Sequence, residues 1–120
     1  MEKERRRAIR FQFIAPVEVL DESGGPVTSY ITDLGLHGCS MGAGDRPLQG
    51  TAVYVKISTA TDSFETPATI VHLSSNRMGM AFHDVKPGSM TVLRRWLASA
   101  KFPKASSRAA RNRTPDWTGP

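Results

Sequence analysis

Between Phe11 and Phe82 the apolar residues recur at every second position in short runs separated by turn-forming clusters, a rhythm that strands satisfy and helices do not. In Thr51–Ser58, Val53, Val55 and Ile57 share one face while Tyr54, Lys56 and Ser58 share the other. Met78, Met80 and Phe82 alternate in the same way with Gly79, Ala81 and His83. Val17 and Val19 end a first strand ahead of the turn Asp21-Glu22-Ser23-Gly24-Gly25-Pro26, and further strands fit Val27–Thr32, His37–Met41 and Glu65–Leu73. Pro67 has no amide proton, which predicts an edge or a bulge at that point of its strand. About six short antiparallel strands close naturally into a barrel, so the expected fold is all-β, a six-stranded antiparallel β-barrel.

After Pro87-Gly88 the period changes. Met90, Leu93, Trp96, Leu97 and Ala100 form one apolar helical stripe, with Arg94 and Arg95 on the solvated side. Ser89 is the expected N-cap, and Pro103 is expected to stop the helix after Lys101-Phe102. The stripe predicts a C-terminal α-helix packed on the barrel. The stretch KASSRAARNRTPDWTGP has no periodicity, so residues 103–120 are read as a disordered basic tail; 1–10 are read as a flexible arginine-rich arm and 11–102 as the folded body.

A chain of 120 residues holds one such body, since two would each be too small to bury a core. No apolar run approaches the roughly 20 residues that span a bilayer, and the MEKERRRAIR start is unlike a secretory leader, so a cytoplasmic protein without membrane insertion is expected. Cys39 is the single cysteine, which excludes an intramolecular disulfide or a thiolate cluster for a metal. The net charge of +5 is unevenly spread: residues 1–10 contribute +3, residues 101–120 contribute +4, and the stretch between them carries −2. A duplex-binding face normally spreads its cations over the folded surface, so specific nucleic-acid binding is not expected.

Two stretches carry the chemistry. Arg6-Arg7-Ala8-Ile9-Arg10 is an R-x-x-x-R pattern preceded by Arg5, and Asp33-Leu34-Gly35-Leu36-His37-Gly38 is a D-x-G-x-x-G pattern. Together with the Val53-x-Val55-x-Ile57 strand, Ala68-Thr69-Ile70-Val71, Gly79-Met80-Ala81-Phe82 and the closing helix, they resemble the PilZ domain, a family of bacterial cyclic-di-GMP receptors on a six-stranded barrel. The resemblance covers roughly residues 5–100. It departs from the family at Gly35, where D/N-x-S-x-x-G usually has serine. About 20 residues separate Arg10 from Asp33, enough for a strand, a turn and a returning strand, so the two motifs are expected to share one site.

The resemblance implies a ligand-binding set of Arg5, Arg6, Arg10, Asp33, Gly35 and Gly38, with no cofactor, no metal and an unidentified protein partner downstream. A guanidinium forks onto phosphate oxygens, bonds guanine O6 and N7, and stacks on a base. A carboxylate such as Asp33 accepts from guanine N1 and N2. Gly38 permits a tight turn or a close approach to ligand, and Gly35 adds freedom but lacks a hydroxyl, which costs about 0.5–1.5 kcal/mol if that hydroxyl bonds the ligand. The leading expectation is a cyclic-di-GMP receptor whose arginine arm becomes ordered over the barrel and signals to a protein, with motility or biofilm regulation as the setting. The alternative is a degenerate PilZ module that binds no nucleotide and acts as an interaction adaptor.

Plainer roles stand beside these. The arginines can be a solvated arm with nonspecific affinity for RNA, and Asp33–Gly38 a plain turn with glycines at positive φ. His37, His72 and His83 lack metal-pair spacing, and Cys39 reads as a small buried strand residue. No Ser-His-Asp or Cys-His set, paired catalytic carboxylates or phosphate-cradling loop before a helix occurs, so an enzyme is not expected.

Overall fold

The computed structural model describes residues 9–100. Six strands, β1 (Arg10–Leu20), β2 (Pro26–Gly35), β3 (Gly38–Gly42), β4 (Ala52–Ser58), β5 (Ser63–Leu73) and β6 (Arg77–Phe82), are followed by one helix, α1 (Pro87–Ser99). The strands form a closed antiparallel barrel in the order β1-β2-β3-β6-β5-β4, sealed where Val17–Leu20 pair with Tyr54–Ile57. The all-β barrel with its C-terminal helix is therefore as the sequence predicts. The buried member of each alternating pair fills the interior: Val17, Val19, Val27, Ile31, Val55, Ile57, Phe64 and Met80 are all but inaccessible.

The helix packs its apolar stripe against the barrel, chiefly along β5. Leu93 and Trp96 are its buried residues, and the Trp96 ring stacks on Phe13 at 5.2 Å between centroids, with Phe64 at 6.4 Å. Its ends differ from expectation. The N-cap is Lys86, not Ser89, because Pro87 at the first helical position already has the φ a helix needs and no amide to satisfy. Ser89, one turn inside, instead accepts a bond from the Glu65 amide at 3.4 Å. The helix stops at Ser99 with Ala100 extended, earlier than Pro103 would require. The Ser99 hydroxyl lies 3.3 and 3.1 Å from the Arg95 and Trp96 carbonyls, and the Trp96 oxygen is one of the last-turn acceptors without a partner in the helical ladder.

Pro67 lies within a closed sheet that has no free edge, and the bulge of β5 falls later, between Ile70 and His72. Its carbonyl accepts from the His83 amide at 3.1 Å, just past the end of β6, so its missing donor also faces a side where the ladder has finished. The long β3–β4 connection is pinned to the β1–β2 turn by buried Asp21. That carboxylate accepts from Arg46 Nη1 at 2.9 Å and from the Gln49 amide at 2.7 Å. Arg46 and the surrounding hydrogen bonds hold the Asp21 carboxyl far below the usual carboxylate range.

Candidate functional site

The site grows out of a defect in strand alternation. Ile31 and Leu34 are both fully buried, although three residues apart, because the β2–β3 register shifts between Ile31 and Asp33. The shift sets Asp33 beside Ser40, which lies between the inward-facing Cys39 and Met41 and so belongs to the outer face. Asp33 is nevertheless only 2% exposed, covered by the side chains that converge on it.

Arg10, the first residue of β1, donates from Nη1 to Asp33 Oδ1 at 2.5 Å and to Ser40 Oγ at 3.3 Å. Arg77, the first residue of β6, reaches the other oxygen, Oδ2, at 3.4 Å. Their side chains keep 34% and 45% of their exposure, so both guanidinium groups border solvent while the carboxylate between them does not. The expectation that R-x-x-x-R and D-x-G-x-x-G meet is met at Arg10. The strand starts one residue inside the arm as drawn from sequence, and Arg5 and Arg6 lie outside the described residues.

The two motif glycines have different tasks, and neither takes a positive φ; among the described residues the left-handed glycines are Gly24 and Gly50. The turn-glycine reading is thus corrected. Gly35 pairs with Arg10, and a Cβ on it would sit 3.0 Å from both Arg10 Cδ and the Ile9 carbonyl oxygen. Its bare face is the seat on which the Arg10 side chain crosses β2 to reach Asp33. Gly38 is buried against β6, where a Cβ would drive into the Met80 carbonyl oxygen. The close approach it permits is strand to strand rather than strand to ligand.

Arg77 and Ser40 were not singled out from the sequence. The signal for Arg77 was present in the alternation of β6, since it shares the outer face with Gly79 and Ala81 opposite Met78 and Met80. Only the non-consecutive pairing of β3 with β6 brings it to Asp33. Beyond Arg77 a groove of about 730 Å³ opens between the β3–β4 connection and the β5–β6 hairpin, walled by Leu48, Ile70, Leu73 and Met78. Behind the site, burial pushes the Cys39 thiol up to about 12, which leaves it protonated and unreactive. His72 and His83 are exposed, and His83 Nε2 lies 3.1 Å from Thr69 Oγ1. Among the described residues no group of three His, Cys, Asp or Glu is placed to hold a metal, and no helix is long and apolar enough to cross a membrane.

A sequence model of the PilZ domain matches residues 4–99. None of the curated proteins matches the chain. Among solved structures, the PilZ domain of YcgR from Escherichia coli with c-di-GMP superposes with a TM-score of 0.67 at 17% identity, covering 92% of this chain and 99% of that one. The PilZ domain of CeSA from a cellulose-synthesizing bacterium gives 0.60 at 22% identity, over 74% and 94% of the two chains. The Bacillus subtilis inhibitor of motility, MotI/DgrA, gives 0.62 at 17%, over 79% of this chain and 52% of that one.

Proposed function

The chain belongs to the PilZ domain family, and from that premise we propose that it is a cyclic-di-GMP receptor whose arginine arm closes over the outer face of β2 and β3 when the nucleotide arrives. The observation that carries this reading is the Arg10–Asp33 contact, which joins two motifs 23 residues apart in one solvent-bordering site. Arg10 has five N–H donors and engages Asp33 and Ser40 through one nitrogen, so it can turn toward a phosphate or a guanine edge without leaving the face it occupies. Arg5 and Arg6 are assigned to the same ligand from the arm. Asp33, buried under the guanidinium groups, serves here first as their anchor and reads guanine N1 and N2 only once Arg10 has moved.

No bond is made or broken in this scheme. Ordering the arm costs conformational entropy that the charge-assisted contacts must exceed, and the reordered surface is what a partner protein detects. Cytoplasmic residence is part of the reading, and a chain whose single thiol is buried suits a reducing compartment. Titration calorimetry of the intact chain and of Arg10→Ala with cyclic-di-GMP tests it. Loss of a charge-assisted contact should weaken binding roughly 10- to 100-fold, and equal binding by the two proteins refutes the site.

A second reading is an interaction module that has lost its nucleotide. Gly35 supports it, because this position offers no hydroxyl to a ligand. Absence of heat with the intact chain at high micromolar nucleotide would favour that reading.

A further inference from the structure

We propose that the groove between the β3–β4 connection and the β5–β6 hairpin is a docking seat for the chain's own C-terminal segment, with the Trp117 ring as its occupant. The groove is where the core runs out uncovered. Leu73 pairs with Met78, so both side chains project to the same face of the sheet, yet Met78 is buried and Leu73 is 68% exposed. Val71, the extra residue of the β5 bulge, is 63% exposed beside it. Leu48 and Ile70 pack against the core and line the groove as well. An apolar surface that continues a core and is left open to water marks a contact site.

Residues 101–120 lie outside the described residues, and their sequence supplies the occupant. Trp117 is the only large apolar side chain among residues 103–120. Ahead of it, Arg113-Thr114-Pro115-Asp116 carries one cation and one anion. The walls of the groove carry the same pair, Asp45 on the connection and Arg77 on the hairpin, both exposed. A segment with both charges beside an aromatic ring thus meets a groove with both charges beside an apolar floor, and about 730 Å³ leaves room for the ring.

The segment is long enough to get there. The last turn of α1 stands by the β4–β5 turn, where Arg95 pairs with Asp62 at 2.9 Å and Trp96 stacks on Phe13. The groove lies at the other end of β5, which runs 11 residues from Ser63 to Leu73 and so spans about 33 Å. From Ala100 to Trp117 the backbone reaches at most about 56–61 Å, and a coil of that length has a root-mean-square span of about 21–25 Å. The effective concentration of the ring at the groove is therefore of millimolar order, and a seat with a millimolar dissociation constant is about half filled. Burial of one tryptophan ring against aliphatic side chains is an interaction of that strength.

The test is acrylamide quenching of tryptophan fluorescence on the full chain as wild type, Leu73→Asp and Trp117→Phe, at low and at high micromolar protein. Trp96 is buried and contributes the same protected signal to wild type and Leu73→Asp, so the difference between those two reads Trp117. Leu73→Asp sets a carboxylate in the apolar wall and should weaken docking roughly tenfold or more, seen as a several-fold rise in quenching with a red-shifted emission. Trp117→Phe should lack the rise. Amide spectra of wild type and Trp117→Ala give a second measurement that needs no change in the body of the protein, and the resonances of Leu48, Leu73 and Met78 should shift while that of Phe13 stays. Wild-type quenching as strong as that of Leu73→Asp overturns the proposal, and so does weak quenching in both. Protection of Trp117 that disappears on dilution assigns the groove to a second copy and overturns it too, as do amide resonances around the groove that ignore Trp117→Ala.

Discussion

Replacing Gly38 with alanine should unfold the protein far more readily than replacing Gly35, although the two glycines belong to one short motif. A Cβ on Gly38 falls inside 3.0 Å of the Met80 carbonyl oxygen and 3.3 Å from the carbonyl carbon, and both are backbone atoms that no rotamer change can move. To accept it, β3 and β6 must separate by on the order of 1 Å. The pairs at stake are Gly38 with Ala81 and the Phe82 amide on the His37 carbonyl at 2.8 Å. Two ladder bonds at about 1 kcal/mol each, with about 1–2 kcal/mol of overpacking strain, give a loss of about 3–4 kcal/mol. At about 4 °C per kcal/mol for a domain of this size, the melting midpoint should fall by roughly 12–16 °C. Gly35→Ala meets Arg10 Cδ and the Ile9 carbonyl oxygen at 3.0 Å; the arginine can swing away and the Ile9 carbonyl, just ahead of β1, has to give by only a few tenths of an ångström, so the cost should be about 1 kcal/mol while nucleotide affinity falls several-fold. Urea denaturation followed by circular dichroism, paired with calorimetric titration, separates the two effects. If Gly38→Ala keeps the wild-type midpoint and loses only nucleotide binding, the strand-contact argument is wrong and Gly38 belongs to the ligand.

Three further outcomes follow from contacts already described. Trp96→Ala removes the ring stacked on Phe13 and tilted against Phe64 and should cost about 3–5 kcal/mol in the same denaturation assay, with loss of helical signal ahead of strand signal. Asp21 has a folded pKa depressed below its ordinary value of 3.8, chiefly by Arg46, so its stabilising contribution is complete above that value and is lost as the pH falls below it. Asp45, depressed chiefly by its hydrogen bonds to Thr28, adds to the same acid limb. A melting-temperature profile from pH 6 down to pH 2 should fall steeply below about 4 in the wild type and less steeply in Asp21→Asn, which should start several degrees lower. Limited proteolysis near Arg7 should slow when cyclic-di-GMP is added; equal cleavage rates with and without it would remove arm closure from the scheme.

The parts of the fold that were legible in the sequence are those set by local alternation. Val53, Val55 and Ile57, like Met78 and Met80, are buried where the period of two puts them, because a strand that covers a core has no other way to sort its side chains. What escaped was set by register between strands. The shift after Ile31 changes which face Asp33 occupies, and no count of residues along the chain reveals it. Ser40 joins the site through the shifted β2–β3 register, and Arg77 through β3–β6 pairing, which depends on barrel closure rather than on sequence proximity. Gly35 was read as a missing hydroxyl, whereas in the folded chain its missing side chain is what admits Arg10. The same limit applied to α1: serine is the better cap by composition, yet Pro87 two residues earlier begins the helix.

Closure of the barrel also restricts how a signal can leave it. With β1 bonded to β4, each of the six strands has a ladder partner on both sides, and only the overhanging ends, such as the part of β1 before Val17 on its β4 side, lack one. A partner, if there is one, would find more side chains than open sheet edge on the outer face. A ligand that draws Arg10 and Arg77 out from their shared carboxylate would redistribute charge on that face without moving a strand. On the proposed reading, such a cylinder would change the charge it shows to its surroundings while its strands keep their places.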